Sequence, residues 1–335
     1  RPMQRPPEPR AVTAAEVGLR LRASPSVAVL TGAGLSAASG LATRKQLWQR
    51  YSRDSAVSVW RHTEQPVTLW RVVADFLSDP VPAGAMPVGA ALLSRLVVPP
   101  GSTATVPRVL RRHAPNAAHL ALARLAATHA SVRIVTQNVD ELHQAAGVAL
   151  SHPAAAAARV RGCGAAPPLT GFRSLLAQPG VASGTGMGLT ASVVGRSAAA
   201  ASASASVIEL HGSLFRTRCH ACGEAQPLSA HECLLEADAA LAARNDEDVT
   251  VGLADVLPPR CSACGEAAVR PDVVLFGERV DRADIAAAHA AIESCDMLLV
   301  VGCAMDVSPA SELPRLALER GATVVEVGPV PTRLH

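Results

Sequence analysis

Apolar and polar positions alternate in blocks along this chain. Residues 26–31 (SVAVLT), an apolar run throughout 27–30, read as a short strand buried on both faces. The run passes directly into Gly32-Ala33-Gly34 and a small-residue helix start over 35–39. Further buried-strand runs lie at 132–136, 273–276, 297–301 and 323–327, and residues 116–129 and 282–293 carry helical spacing between them. Buried strands alternating with helices predict an α/β chain with a mostly parallel, doubly wound sheet. A strand, a glycine turn and a helix in that order open many nucleotide-binding units. Taken alone, the Gly-Ala-Gly turn is a weak signal, because tight turns of this kind are common.

Two segments break the pattern. Residues 81–105 are rich in Pro, Ala and Gly, and residues 148–206 are dominated by Ala, Ser and Gly. Such compositions bury too little apolar surface to offset chain entropy, so both read as low-complexity surface insertions. Residues 1–23 read as a flexible leader with Arg1, Arg5, Arg10, Arg20 and Arg22 against Glu8 and Glu16. It is either an organelle transit peptide or a Pro-rich leader. The expected compartment is the mitochondrion, with the cytoplasm as the alternative. The body of the protein is then 24–335.

Composition narrows the partners. Hydrophobic residues make up 49% of the chain, but much of this is alanine, and aromatics are only 2%. With 31 basic and 28 acidic side chains the net charge is +3, too balanced for a nucleic-acid scaffold. No apolar run reaches the roughly 18 residues of a membrane helix. The expectation is a monomer with no direct nucleic-acid partner and no membrane partner. Of eight cysteines, four form two tight pairs while Cys163, Cys233, Cys295 and Cys303 are scattered. That pattern suits a reducing compartment and one metal site.

The pairs are Cys219-His220-Ala221-Cys222-Gly223 and Cys261-Ser262-Ala263-Cys264-Gly265. Two such knuckles together complete a tetrahedral four-thiolate zinc site, and the glycine after each pair lets the turn close. Protein ligands fill all four positions, so the metal is expected to be structural. His220 and His231 lie nearby but are not needed as ligands. The expected architecture is a Rossmann-like sheet with a smaller zinc-binding module over 214–270.

Three more segments carry chemistry: residues 136–143 (TQNVDELH), 209–213 (ELHGS) and 270–278 (RPDVVLFGE). With GAGLSAASG at 32–40 and the paired knuckles, this set, in this order, resembles the sirtuin (Sir2) family of NAD-dependent protein deacylases. The wording is most like its sirtuin 5 and bacterial deacylase class. The resemblance implies a reaction in which an acyl-lysine protein or peptide and NAD give free lysine, nicotinamide and O-acyl-ADP-ribose. It implies His211 as general base, a role suited to an imidazole that titrates near neutrality. His143 is the rival histidine. The implied cofactor positions are Gly32, Ala33, Gly34 and Ser36 in the first loop, then Thr43 and Arg44. Gln137, Asn138, Val139 and Asp140 follow the second strand, and Gly302, Cys303, Ala304 and Gly328 follow the last two. On the residues alone, Asn138 and Asp140 also read as a cap for a helix over 141–146. Val273, Phe276, Gly277 and Glu278 are implied to bind the substrate peptide by strand addition, although Phe276 alone also reads as a core aromatic.

The chain departs from the family pattern in three places. Residues 41–45 (LATRK) lack the family's proline and phenylalanine, Cys303-Ala304 replaces two hydroxyl residues, and Gly328 stands where an asparagine is usual. The helix around 70–76 lacks the Tyr-x-x-Arg pair of acyl-acid-selective relatives. These departures keep two alternatives open: protein ADP-ribosylation, and binding of NAD or acyl-peptide without turnover.

Overall fold

The computed structural model describes residues 10–43, 45–46, 66–77, 113–129, 131–150, 206–243, 255–329 and 332. Arg44, the 81–105 insertion and most of the 148–206 insertion lie outside the described residues. In chain order the elements begin with α1 (Ala14–Ala23), β1 (Val27–Thr31), α2 (Ala33–Ser36), α3 (Pro66–Leu77) and α4 (Ala117–Thr128). Next come β2 (Val132–Thr136), α5 (Leu142–Ala145), β3 (Ala149–Leu150), β4 (Ser206–Glu209), β5 (Gly212–Cys219) and β6 (Ala225–Gln226). Then follow α6 (Ala230–Ala243), β7 (Val269–Val273), α7 (Arg282–Glu293), β8 (Met297–Val301), α8 (Leu313–Glu319) and β9 (Thr323–Val327).

Six strands form one sheet in the order β3-β4-β2-β1-β8-β9, and every pair is parallel. The two-residue period of β1 divides its side chains between two cores. Ala28 and Leu30 join Leu298, Val300, Ile292 and Leu313 on one face. Val27 and Val29 join Ile134, Met297, Leu299 and Leu122 on the other. Both faces are therefore covered by helices, as the apolar side chains on both faces of β1 and β8 require. Each large aliphatic side chain buried this way contributes about 1.5–3 kcal/mol. The strand expected at 26–31 is present at 27–31, and those expected at 132–136, 297–301 and 323–327 are present, as is the helix over 282–293.

The second half of the leader differs from expectation. Residues 14–23 form α1, closed by a capping box in which Thr13 Oγ1 accepts from Glu16 N–H and Glu16 accepts from Thr13 N–H. Val17 and Leu21 pack against the sheet. The arginine count hid this apolar stripe.

Residues 148–206 also yield pieces to the sheet. Ala149–Leu150 and Ser206 belong to strands, and β4 was concealed because its apolar run begins where the Ala-Ser repeat ends.

The small module is a three-stranded antiparallel sheet, β6-β5-β7. Its core joins Leu214, Leu257 and Leu275 to Leu234 of α6 and to Leu69, Trp70 and Val73 of α3. Trp70 is fully buried, and its indole N–H donates to Val269 O at 3.3 Å. The module therefore draws on α3, far upstream of 214–270. The strand expected at 273–276 is a correction. It lies at 269–273 and belongs to this small sheet instead of the parallel one. Buried Arg270 broke the apolar run, and Pro271 is tolerated because β7 is an edge strand.

Candidate active site

The expected cofactor positions gather where the parallel strands end. The chain passes from β1 outward to β2 on one side and later to β8 on the other, which makes a topological switch point at β1. Open α/β sheets bind ligands outside the carboxyl ends of the strands at such a point. The loops there are stitched together. Gln137 N–H donates to Thr31 O, Leu210 N–H to Thr136 O, Gly34 N–H to Gly302 O at 2.9 Å, and Gly302 N–H to Val327 O. A Cβ on Gly32 or Gly34 would lie 2.9 or 2.8 Å from Gly302 O, so these glycines serve loop–loop contact first. Ala33, Ala304 and Gly328 lie on the same rim, with Ala304 and Gly328 exposed.

Beneath the rim is a buried polar network. Asn138 Nδ2 donates to Gly32 O at 3.1 Å and to Ser36 Oγ at 3.0 Å. Ser36 Oγ donates to Asp140 Oδ2 at 2.6 Å, while Asp140 Oδ1 accepts from Leu142 N–H at 3.0 Å. The N-cap of α5 is Glu141, without a side-chain cap bond, so neither Asn138 nor Asp140 is the cap. Asp140 Oδ1 bonds the first helical N–H from one residue earlier, and its Oδ2 serves the site. His119 Nδ1 lies 3.4 Å from Asn116 N–H, and its Nε2 faces Ser36 Oγ at 3.5 Å. His143 Nε2 lies 3.0 Å from Thr31 Oγ1, which donates to Thr136 Oγ1 at 2.8 Å. Burial, and then the neighbouring His119, push His143 down to about 3. Burial also lowers His119. His143 is therefore a neutral, enclosed ring, unsuited to take a substrate proton near pH 7. His119, Thr31 and Thr136 were missed in the sequence; the only available signal was Asn116, the cap that holds His119.

Two expected cofactor residues have different tasks here. Val139 packs its side chain against the small-module core, and its carbonyl accepts from Leu214 N–H at 2.9 Å. Thr43 caps the next turn by donating to Gln46 Oε1 through both its N–H and its hydroxyl. The Cys303 thiol sits 3.6 Å from Gln137 Nε2 and 3.5 Å from Leu30 O. Burial pushes this thiol up to about 12.

His211 lies in the short connection between β4 and β5, where the two sheets meet. Its Nδ1 is 3.1 Å from Gln137 O. A carbonyl only accepts, so Nδ1 carries the hydrogen and the ring lone pair is on Nε2. The His211 carbonyl accepts from Val274 N–H at 3.0 Å, which ties this residue to the segment after β7. That segment holds the expected substrate residues. Val273 turns into the small-module core, while Phe276 is half-buried and Gly277 exposed. Glu278 is a brace: it accepts from Arg270 Nη2 at 2.6 Å and from Leu275 N–H at 2.9 Å.

The four knuckle sulfurs lie within 4.8 Å of one another, with Cys219–Cys264 and Cys222–Cys261 both at 3.7 Å. Tetrahedral zinc with Zn–S bonds of about 2.3 Å sets sulfurs about 3.8 Å apart, so the donor set fits one zinc ion. Each knuckle closes alike. Gly223 N–H donates to Cys219 O and Gly265 N–H to Cys261 O, both glycines at φ +77°. The Ala263 N–H also donates to Cys261 Sγ at 3.3 Å, a contact that favours a thiolate there. His220 and His231 are outside the group, and no described residue other than these cysteines joins it.

This combination defines a class: an α/β nucleotide-type sheet carrying a structural-zinc module, with a histidine at their junction. The Sir2 family model matches residues 101–165 and 195–309, and the chain belongs to that family. The matched residues contain His211, the four cysteines and the loops after β2 and β8; the first glycine loop lies outside them. A Methylococcus capsulatus protein named NAD-dependent protein deacylase is 31% identical over 318 residues, 94% of this chain and 85% of the relative. A Pseudomonas aeruginosa protein named NAD-dependent protein deacylase 1 is 30% identical over 309 residues, 91% of this chain and 83% of the relative. Among solved structures, a Sir2 homologue in complex with NAD shares the fold at a TM-score of 0.58. It is 22% identical, over 97% of this chain and 86% of the other. No described helix is long and apolar enough to cross a membrane.

Proposed function

We propose that this chain is an NAD-dependent protein-lysine deacylase with His211 as its general base. One observation carries the reading: the Nδ1 contact to Gln137 O fixes the His211 tautomer at the meeting of the cofactor loops and the edge-strand segment. The residues present fit NAD. The rim lies at the switch point of the sheet, and Asn138, Asp140 and Ser36 are preset beneath it by mutual hydrogen bonds. When bound, NAD supplies an electrophilic ribose carbon with nicotinamide as leaving group. Gln137, Asn138 and Asp140 would hold the nicotinamide end, and Gly302, Cys303 and Gly328 the far end. The edge after β7 would align an acyl-lysine peptide through backbone bonds, which tolerates many sequences. His211 Nε2 would take a proton from a ribose hydroxyl.

A second reading, binding without turnover, is favoured by Cys303. The family pattern has a hydroxyl there, and a buried, protonated thiol donates only weakly. The experiment supplies NAD with acetyl-, succinyl- and longer acyl-lysine peptides and follows nicotinamide and peptide mass. Wild type is expected to release both products, and His211→Ala to lose about 100-fold or more of the rate. NAD binding with no product on any peptide would favour the binder, and ADP-ribose mass on a protein would favour the transferase.

A further inference from the structure

Arg216 belongs to β5 of the small module, yet its guanidinium meets carboxylates from three other segments. Nη1 lies 3.1 Å from Glu141 Oε1, in the loop after β2 that also carries residues 137–140. Nη2 pairs with Glu209, the last residue of β4 and two positions before His211. Nε lies 3.9 Å from Asp272 Oδ2, next to Val273, and Arg218 Nε shares that carboxylate through Oδ1 at 3.1 Å. Each carboxylate thus comes from a different part of the site: the cofactor loop, the base loop and the peptide edge.

The surroundings are built around this side chain. Glu209 is only 1% exposed and also accepts from Gln144 Nε2. Burial, with a contribution from the charge of Glu141, pushes the Glu209 carboxyl up; Arg216 opposes that shift. Glu141 has a left-handed backbone at φ +54°, a conformation a non-glycine residue keeps only where its contacts enforce it. Its side chain is held by Ser213 Oγ at 2.6 Å and by Arg216. Two backbone bonds join the same segments, Leu214 N–H to Val139 O and Val274 N–H to His211 O. A rigid planar fork can hydrogen-bond Glu141 and Glu209 at fixed angles while its Nε faces the Asp272 charge at 3.9 Å, as a lysine ammonium on a flexible stem cannot.

We propose that Arg216 is a positioning residue that locks the cofactor loop, the His211 loop and the peptide edge into one relative orientation. The proposal rests on the deacylase reading of His211. Its rival is a purely structural role, in which Arg216 only neutralises buried carboxylates. A pair of variants separates them. Arg216→Met leaves Glu209 buried without its cation and is expected to lower Tm. Adding Glu209→Gln removes that uncompensated charge and is expected to restore most of the Tm. If Arg216 positions the site, the double variant still shows kcat about 10- to 100-fold below wild type, the loss expected of a misplacement near 1 Å. Its acyl-peptide KM is also expected to rise. Recovery of kcat together with Tm would overturn the proposal.

If the double variant does not fold, Asp272→Asn decides, because that residue is part-exposed. Arg218→Met, which removes the other cation on the same carboxylate, is the control and is expected to leave peptide KM unchanged, an equal rise there overturning the proposal. In Asp272→Asn itself the change is as follows. Peptide KM is expected to rise about 3-fold while NAD KM stays fixed, in keeping with a partly exposed ion pair; an unchanged peptide KM in Asp272→Asn would overturn the proposal. The imidazole resonances of His211, assigned by difference from His211→Ala, report the same geometry without turnover. A wild type silent on every peptide would therefore count against the deacylase reading. The lock would then stand on a shift of those resonances in the double variant, and fall if they did not move.

Discussion

Replacing Gly302 by alanine tests whether the cofactor rim is held by close contact between loops. Gly302 has φ +63°, and a Cβ there would lie 2.3 Å from Leu35 N and 2.7 Å from Gly34 C. Ordinary contact begins near 3.4 Å, so the backbone of the first loop must retreat by more than 1 Å. Two separable costs follow. The left-handed conformation costs an alanine about 1–2 kcal/mol. A loss of unfolded-state freedom offsets about 0.4–1 kcal/mol of this. Forcing two backbone segments apart adds about 1–3 kcal/mol, the usual range for overpacking.

Gly321 supplies the control. It has φ +85°, and nothing lies within 4 Å of its Cβ position, so only the first cost applies. Gly302→Ala should therefore lose about 2–4 kcal/mol and Gly321→Ala about 1 kcal/mol. At about 2–4 °C per kcal/mol, the Tm falls are about 4–16 °C and about 2–4 °C. The retreating loop carries Ser36, which holds Asn138 and Asp140. NAD KM should therefore rise about 10-fold or more in Gly302→Ala and stay unchanged in Gly321→Ala. Thermal melts and initial-rate kinetics on both variants check this. Equal Tm losses, or an unmoved NAD KM in Gly302→Ala, would refute the loop-contact argument.

The zinc and the buried histidines give two further predictions. Elemental analysis should find one zinc per chain. Because a structural zinc supplies about 10 kcal/mol or more of folding free energy in small modules, chelation should speed hydrogen exchange in β5 and β7 while β1 stays protected; unchanged exchange in both would refute a structural metal. His143 lies at about 3 in the folded chain, lowered first by burial, against about 6.5 when unfolded. The unfolded chain then binds more protons between those values, so this contribution is complete above pH 6.5 and is lost as pH falls toward 3. From pH 7 to 5.5 the stability advantage of wild type over His143→Gln should shrink by about 1 kcal/mol in urea titrations. A difference independent of pH would show that His143 titrates normally.

Some of this molecule is written in single stretches of its sequence. Short, β-branched, mostly apolar runs set between helical segments read as strands of a parallel sheet, so β1, β2, β8 and β9 could be read directly. The cysteine knuckles were equally legible, because two ligands three residues apart share one turn and the metal needs only those turns to meet. His211 required the neighbouring segments to be read together, since a lone histidine between Leu210 and Gly212 has no chemistry of its own. Tertiary structure decided the rest, because it depends on residues distant in the chain. Pro271 and buried Arg270 hid β7, whose place at a sheet edge makes both tolerable. Trp70 fills the small-module core, a position set by β7 almost two hundred residues later. Glu278 turned inward to Arg270, and Arg216 found its three carboxylates on three separate segments. Local sequence fixes which elements form and which thiolates pair. Which charges neutralise one another is set only when the two sheets meet around His211.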